Sequence, residues 1–264
     1  LIVNEDGNIK DIEYWHLPEQ FNTNNNYDEM GILTEFSERI RRAIQCRMVS
    51  DVPLGTYLSG GVDSSLISAV AAMSKSEPLE TFTIGFPEMN EFTYAQKVAD
   101  KYKTHHHEFV MTNSNYFGMM EEVIRSKDAP LGVPNEIPLA QMSKELKKYI
   151  TVVLSGEGAD ELMGGYGRIF RSAYDYKNHP ESANSFYDYF IDLYEYVPRS
   201  FRDKYIKSSI EIREKCDEAI RKEFDNTSDE EAVFRFFHNY HVKGLLQRCD
   251  STTMLASVEA RVPF

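Results

Sequence analysis

Apolar residues recur four apart at Ile32, Phe36, Ile40 and Ile44, a spacing that predicts a helix of about four turns beginning near Asp28. Short apolar runs follow at residues 52–58, 79–86 (LETFTIGF), 106–111 (HHEFVM) and 149–154 (YITVVL). The first three each precede a helix-like stretch, and the fourth comes after the amphipathic run 138–148. Strands that alternate with helical patterns predict a parallel sheet flanked by crossover helices, an α/β fold. From about residue 184 to 264 the pattern turns aromatic, charged and helical, with few glycines and no strand signal, so a mostly helical C-terminal part is expected there. Residues 1–27 are polar and asparagine-rich around an isolated Tyr14-Trp15. They read as a linker or arm pinned by one aromatic anchor, and residues 28–264 as the main domain.

Ligands of parallel sheets bind beyond the carboxyl ends of the strands. Three of the four predicted strands run there into chemically loaded turns: SGGVDSS, GFPEMNE and SGEGADE. In the first, Gly60 and Gly61 permit close backbone approach, and Ser59, Ser64 and Ser65 add hydroxyl donors ahead of a helix N-terminus. Such a nest suits an oxyanion pair such as pyrophosphate. The loop has no lysine, and Asp63 would repel phosphate unless a cation lay between them. Asp63 therefore reads as a ligand for Mg²⁺, which binds through one or two carboxylates together with phosphate oxygens. A helix N-cap is the alternative role for this residue. The turn 155–161 carries Glu157, Asp160 and Glu161, and three acids so close call for a cation or proton partner. A second metal ligand from there, Asp160, would pair with Asp63.

Composition narrows the function classes. The 264 residues are 42% apolar and 27% charged, as in an ordinary globular protein. No apolar run approaches the ~20 residues of a membrane span, and the N-terminus does not resemble a signal peptide, so a cytoplasmic protein without a membrane partner is expected. A formal charge of −13 argues against nucleic acid, which is bound through clustered Lys and Arg. The three cysteines, Cys46, Cys216 and Cys249, are far apart and read as reduced thiols. The absence of a starting Met and the ending Glu-Ala-Arg-Val-Pro-Phe suggest a fragment of a longer polypeptide.

SGGVDSS taken with LSGEGADELMGGY closely resembles the synthetase domain of glutamine-dependent asparagine synthetases, within the PP-loop ATP pyrophosphatase superfamily. DVPLGTYLSGGVDSS, APLGVPNEIPLAQMSK and DSTTMLASVEARVPF fit that family in the same order, over roughly residues 14–264. The resemblance implies a PP-loop, adenine nucleotide α-hydrolase-like fold. It also implies ATP and Mg²⁺ as cofactors, and an aspartate carboxylate activated as an acyl adenylate, with ammonia displacing AMP to give asparagine. Carried onto this chain, it implies a pyrophosphate loop of Ser59, Gly60, Gly61, Asp63, Ser64 and Ser65. Adenosine would lie against Leu58, Ile84, Ser155 and Gly156, and Asp63 with Asp160 would hold the metal. Glu157 would take a proton from ammonia, with the second catalytic candidate, Tyr166, near it. Arg248 and Glu161 are candidate substrate contacts, a salt bridge being the other role open to Arg248.

The chain also departs from the family. The glutaminase domain that supplies ammonia would lie upstream, and a catalytic lysine downstream of the R-V-P-F motif. Where the family often has D-R-x-S-M, this chain has Asp250-Ser251-Thr252-Thr253-Met254, which opens the identity of the acid. A related adenylating amidotransferase, a β-lactam-type synthetase or a non-catalytic nucleotide-binding module remain alternatives. Oligomeric state is open, a homodimer included. His105-His106-His107 reads as structural, since neighbouring residues of a strand face opposite ways. Glu259 and Arg261 read as an ion pair, and the aromatic stripe 186–196 as helical core.

Overall fold

The computed structural model describes residues 1–14, 28–197, 199–205 and 210–264. The chain divides into two compact units, Leu1–Thr34 and Glu35–Phe264. In the first, β1 (Ile2–Val3) and β2 (Ile9–Lys10) form an antiparallel hairpin. Tyr14 stands exposed, and Trp15 lies outside the described residues.

The predicted first helix is α1 (Glu29–Arg47). Of its apolar stripe, Ile44 is buried and Ile40 packs beside it, whereas Ile32 and Phe36 remain exposed. The second unit then alternates strand and helix: β3 (Leu54–Tyr57), α2 (Val62–Met73), β4 (Glu80–Gly85), α3 (Phe92–Tyr102), β5 (His105–Val110), α4 (Asn113–Lys127), α5 (Glu136–Leu146) and β6 (Val152–Leu154). All four apolar runs are strands, three of them trimmed at their ends and the run 106–111 shifted by one residue to His105–Val110. They pair in parallel, with a fifth strand, β7 (Glu259–Arg261), at one edge, in the order β5-β4-β3-β6-β7.

Strand alternation sorts the core onto two faces. Leu54, Val152 and Leu154 pack with Ile67 and Val70 of α2 on one face. Tyr57, Phe82 and Val153 pack with Met142 and Leu146 of α5 on the other. The strand β7 was not expected in the helical C-terminal part. Its three residues are Glu-Ala-Arg, with no apolar run to announce them, and it is a strand because it pairs with β6.

Beyond β6 come the short α6 (Ala159–Met163), α7 (Gly167–Phe170) and α8 (Ser172–Asn178), then α9 (Phe186–Tyr194), α10 (Arg199–Tyr205), α11 (Ile210–Arg221), α12 (Asp229–Phe236) and α13 (Val242–Met254). The aromatic stripe read over 186–196 is helical core through α9, where Phe186, Tyr187, Phe190 and Ile191 are buried against Val233, Phe236 and Phe237, but Tyr196 lies beyond the helix and is exposed. Full burial of a side chain such as Phe190 contributes about 2–3 kcal/mol. Between α12 and α13 the chain makes one π-helical stretch, Phe237–His241.

Candidate active site

From β3 the chain steps outward in one direction to β4 and β5, then returns to place β6 on the other side of β3. This reversal opens a crevice beyond the carboxyl ends of β3 and β6, the usual ligand position in such sheets. Thr56 pairs with Leu154, so both strands end level and their two glycine-bearing turns stand side by side. A Cβ on Gly156 would lie 3.4 Å from the Asp63 Cβ and 3.5 Å from the Ser64 backbone nitrogen.

The first turn reverses through Gly60, whose φ is +87°. A side chain there would also strike α3, 2.5 Å from the Tyr94 Cβ, so both conformation and contact require glycine. The Ser59 and Ser64 hydroxyls lie 3.0 Å apart, and the Ser59 hydroxyl accepts from the Gly61 N–H at 3.2 Å. The Ser65 hydroxyl is buried and makes no hydrogen bond among the described residues. A buried hydroxyl without a partner at a helix N-terminus fits a missing anionic acceptor. Beside this turn lies a pocket of about 350 Å³ whose lining includes Ser59, Ile84, Phe86, Met89, Met111 and Pro138. Leu58 does not line it. Its side chain is buried against Ala95 and Ala99, and its N–H donates to the Phe82 carbonyl. A larger cavity of about 470 Å³ lies beside Pro53 and Leu54 at the opposite end of β3, where Lys75 is its one ionisable lining residue.

The second turn carries the acids on α6. Burial pushes the Asp160 carboxyl up, and the charges of Asp63 and Glu161 push the same way. Two carboxylates on adjoining turns, near enough that the charge of one raises the other, form a donor set that suits a hard divalent cation, so the residues fit Mg²⁺. Among the described residues, no group of three His, Cys, Asp or Glu side chains is placed to hold a metal. The remaining ligands would come from phosphate oxygens and water. Asp160 is seated over Gly165, where any Cβ would lie 1.8 Å from its Oδ1.

Glu157 reaches α13, accepting from an Arg248 terminal nitrogen (NH2) at 2.8 Å. Burial raises its carboxyl above the ordinary range, and the Arg248 charge pulls it partly back. Arg248 therefore forms the salt bridge that was one of its two readings, but its buried Nε makes no hydrogen bond among the described residues. Glu161 is 1% exposed, accepts from the Tyr166 hydroxyl at 2.6 Å and lies 3.5 Å from the His241 Nε2. Those hydrogen bonds outweigh its burial and hold its carboxyl below the ordinary range. Burial and Glu161 together push the Tyr166 hydroxyl far up, so it stays a donor. Cys249 lies buried beside them, its thiol pushed up to about 12 by burial and then by Glu157.

Other marked residues lie apart from this cluster. His105 and His107 share one face of β5 and both engage Glu80 of β4, at 3.1 and 2.6 Å, while His106 on the other face meets Thr81. Arg261 pairs with Glu259 at 2.7 Å and donates to the Arg47 and Val49 carbonyls. His241 escaped the sequence reading because nothing in its local pattern points to an acid far upstream. Ser251 and Thr252 donate to the Arg248 carbonyl of their own helix, as Thr253 does to that of Cys249.

The family model described as asparagine synthase matches residues 35–264. Glutamine-hydrolyzing asparagine synthetase 1 of Bacillus subtilis (strain 168) is 29% identical over 270 residues, covering 90% of this chain and 42% of that protein. Glutamine-hydrolyzing asparagine synthetase 3 of the same organism is 27% identical, covering 95% of this chain and 43% of that protein. The chain thus spans less than half the length of these curated relatives. Among solved structures, the NH3-dependent NAD synthetase of Campylobacter jejuni subsp. jejuni NCTC 11168 aligns over 84% of this chain and 96% of that chain, at 14% identity and a TM-score of 0.37.

Proposed function

The chain belongs to the asparagine synthase family, and on that premise we propose that it is the ATP-using part of an amide-forming ligase. An acid's carboxylate oxygen attacks the α-phosphorus of ATP, giving an acyl adenylate and pyrophosphate. Ammonia then attacks the acyl carbon, and the C–O bond to AMP breaks. The observation that carries this reading is the abutment of the two turns, which sets Asp63 and the Ser64 backbone nitrogen beside Gly156, on the same helix start as the orphaned Ser65 hydroxyl, with Asp160 near enough to feel the Asp63 charge.

In this reading Ser59, Gly60, Gly61, Ser64 and Ser65 take the pyrophosphate, donating backbone N–H and hydroxyl hydrogens. Ser155 and Gly156 flank the nucleotide from the second turn. The pocket beside Ile84 takes the adenosine, and Leu58 contributes backbone alone. Asp63 and Asp160 would hold Mg²⁺, which when bound neutralises charge on the leaving pyrophosphate. Glu157, with its raised carboxyl, accepts the proton that ammonia sheds on becoming an amide. Tyr166 and Glu161, bonded to each other, brace the wall of the site, and Glu161 is too buried to touch substrate directly. Aspartate is the proposed acid and asparagine the product. A glutaminase domain or subunit of the whole protein is the proposed ammonia source.

A second acid is favoured by one observation. Ser251, Thr252 and Thr253 bond back onto their own helix, where the family often places an arginine. The guanidinium at the site is Arg248, and its free Nε suits a carboxylate of the substrate.

The test is product analysis on the full-length protein with Mg-ATP, ammonium and each candidate acid. Aspartate-dependent AMP and pyrophosphate with asparagine formed, all lost in Asp63→Asn, is the expected result. AMP with another acid alone moves the substrate, whereas ADP as product overturns the adenylating mechanism.

A further inference from the structure

Two side chains of the helical region, seven residues apart on one rod, reach acids of the second turn. Arg248 of α13 pairs with Glu157 at 2.8 Å, and His241, where the π-helix hands over to α13, lies 3.5 Å from Glu161. Seven residues are close to two helical turns, about 10 Å of rise, so both side chains leave the same face. Their partners are four residues apart on the turn 157–161.

His241 is itself held. The Tyr194 hydroxyl of α9 lies 2.7 Å from its Nδ1, and the rings of Phe237, Tyr166 and Tyr194 surround it with centroids 4.7, 5.6 and 5.6 Å away. Tyr194 thus meets one ring nitrogen and Glu161 lies near the other, while Glu161 also accepts from Tyr166. The turn needs such an anchor. The helix α6 has five residues between two left-handed glycines, Gly158 (φ +97°) and Gly164 (φ +71°), and so little stiffness of its own. It nevertheless carries Asp160, next in sequence to Glu161.

We propose that His241, oriented by Tyr194, is a positioning residue that holds Glu161 and thereby fixes α6 so that Asp160 faces Asp63 across the candidate Mg²⁺ site. The inference rests on the reading of Asp63 and Asp160 as metal ligands. The partners that orient a ligand-bearing segment govern affinity nearly as much as the ligands do, and losing one costs 10- to 100-fold in metal binding.

The experiment uses the full-length protein and reads two quantities: the Mg²⁺ concentration for half-maximal ATP binding, by calorimetry, and hydrogen exchange over residues 155–166. His241→Phe, which keeps a ring but loses the N–H, is expected to raise the Mg²⁺ requirement about tenfold and to quicken exchange in that segment. ATP binding without Mg²⁺ should stay at the wild-type level. His241→Gln, which restores an N–H donor, should return to within about threefold of wild type, and Tyr194→Phe should shift the requirement a few-fold. If either quantity is unchanged in His241→Phe, or if Gln is as impaired as Phe, the proposal falls. Should His241→Phe fail to fold, Tyr194→Phe decides, and an unchanged Mg²⁺ requirement there overturns it. Absence of Mg²⁺-dependent ATP binding in the wild type is a separate result, which sinks the proposed function itself.

Discussion

Glu157 shows how one side chain acquires chemistry from its surroundings. Burial raises its carboxyl, and the Arg248 guanidinium opposes that shift without cancelling it. A carboxyl is a base only when ionised, so ammonia-dependent amide formation should fall away as pH drops through a value above the ordinary glutamate range. Glu157→Gln should lower that step by about 10²- to 10⁴-fold and abolish the acid limb of the profile, as measured by amide product against pH. Two features of the residue were legible in advance: the acid, and the glycines that make room around it. Its partner was not, because Arg248 lies 91 residues further along the chain and meets it only through the fold.

At the scale of elements, the first turn works because α2 starts where a reversal through Gly60 leaves it. The positive φ of that glycine and the nearness of α3 act together. Gly60→Ala should therefore destabilise the protein by about 1–3 kcal/mol for the backbone strain alone, with further loss from the clash with Tyr94. Denaturant unfolding measures this, and an unchanged midpoint would mean that α3 gives way at no cost. The strands β3, β4 and β6 were readable because strands buried on both faces are nearly continuous apolar runs, whereas the edge strand β5 carries no fully buried residue. The strand β7 was not, since a three-residue edge strand carrying Glu259 and Arg261 owes its conformation to the neighbour it pairs with. The histidines of β5 make a related point: adjacent residues do face opposite ways, but His105 and His107 are two apart and converge on Glu80.

Over the whole molecule, acidic residues outnumber basic ones by 13, and the candidate site adds to that balance with four carboxylates. Such a surface repels a polyanion but accepts a small phosphate that brings its own divalent ion. Mixed with transfer RNA at low salt, the protein should give no mobility shift. A shift that fades steeply as salt rises would reveal a basic patch and bring a nucleic-acid substrate into play. Among the described residues, no helix is long and apolar enough to cross a membrane.

Local physics left its record in the residue order: apolar runs that must become buried strands, glycines that permit tight turns, and a concentration of acids that calls for a cation. These depend on neighbours within a few residues, and so the α/β layout and the two chemical turns could be read directly. The pairing of Glu157 with Arg248 and of Glu161 with His241, and the edge strand β7, depend on segments up to about a hundred residues away. Such contacts arise when packing of the aromatic helices brings α13 back across the sheet, and no local pattern encodes a meeting that chain folding alone arranges.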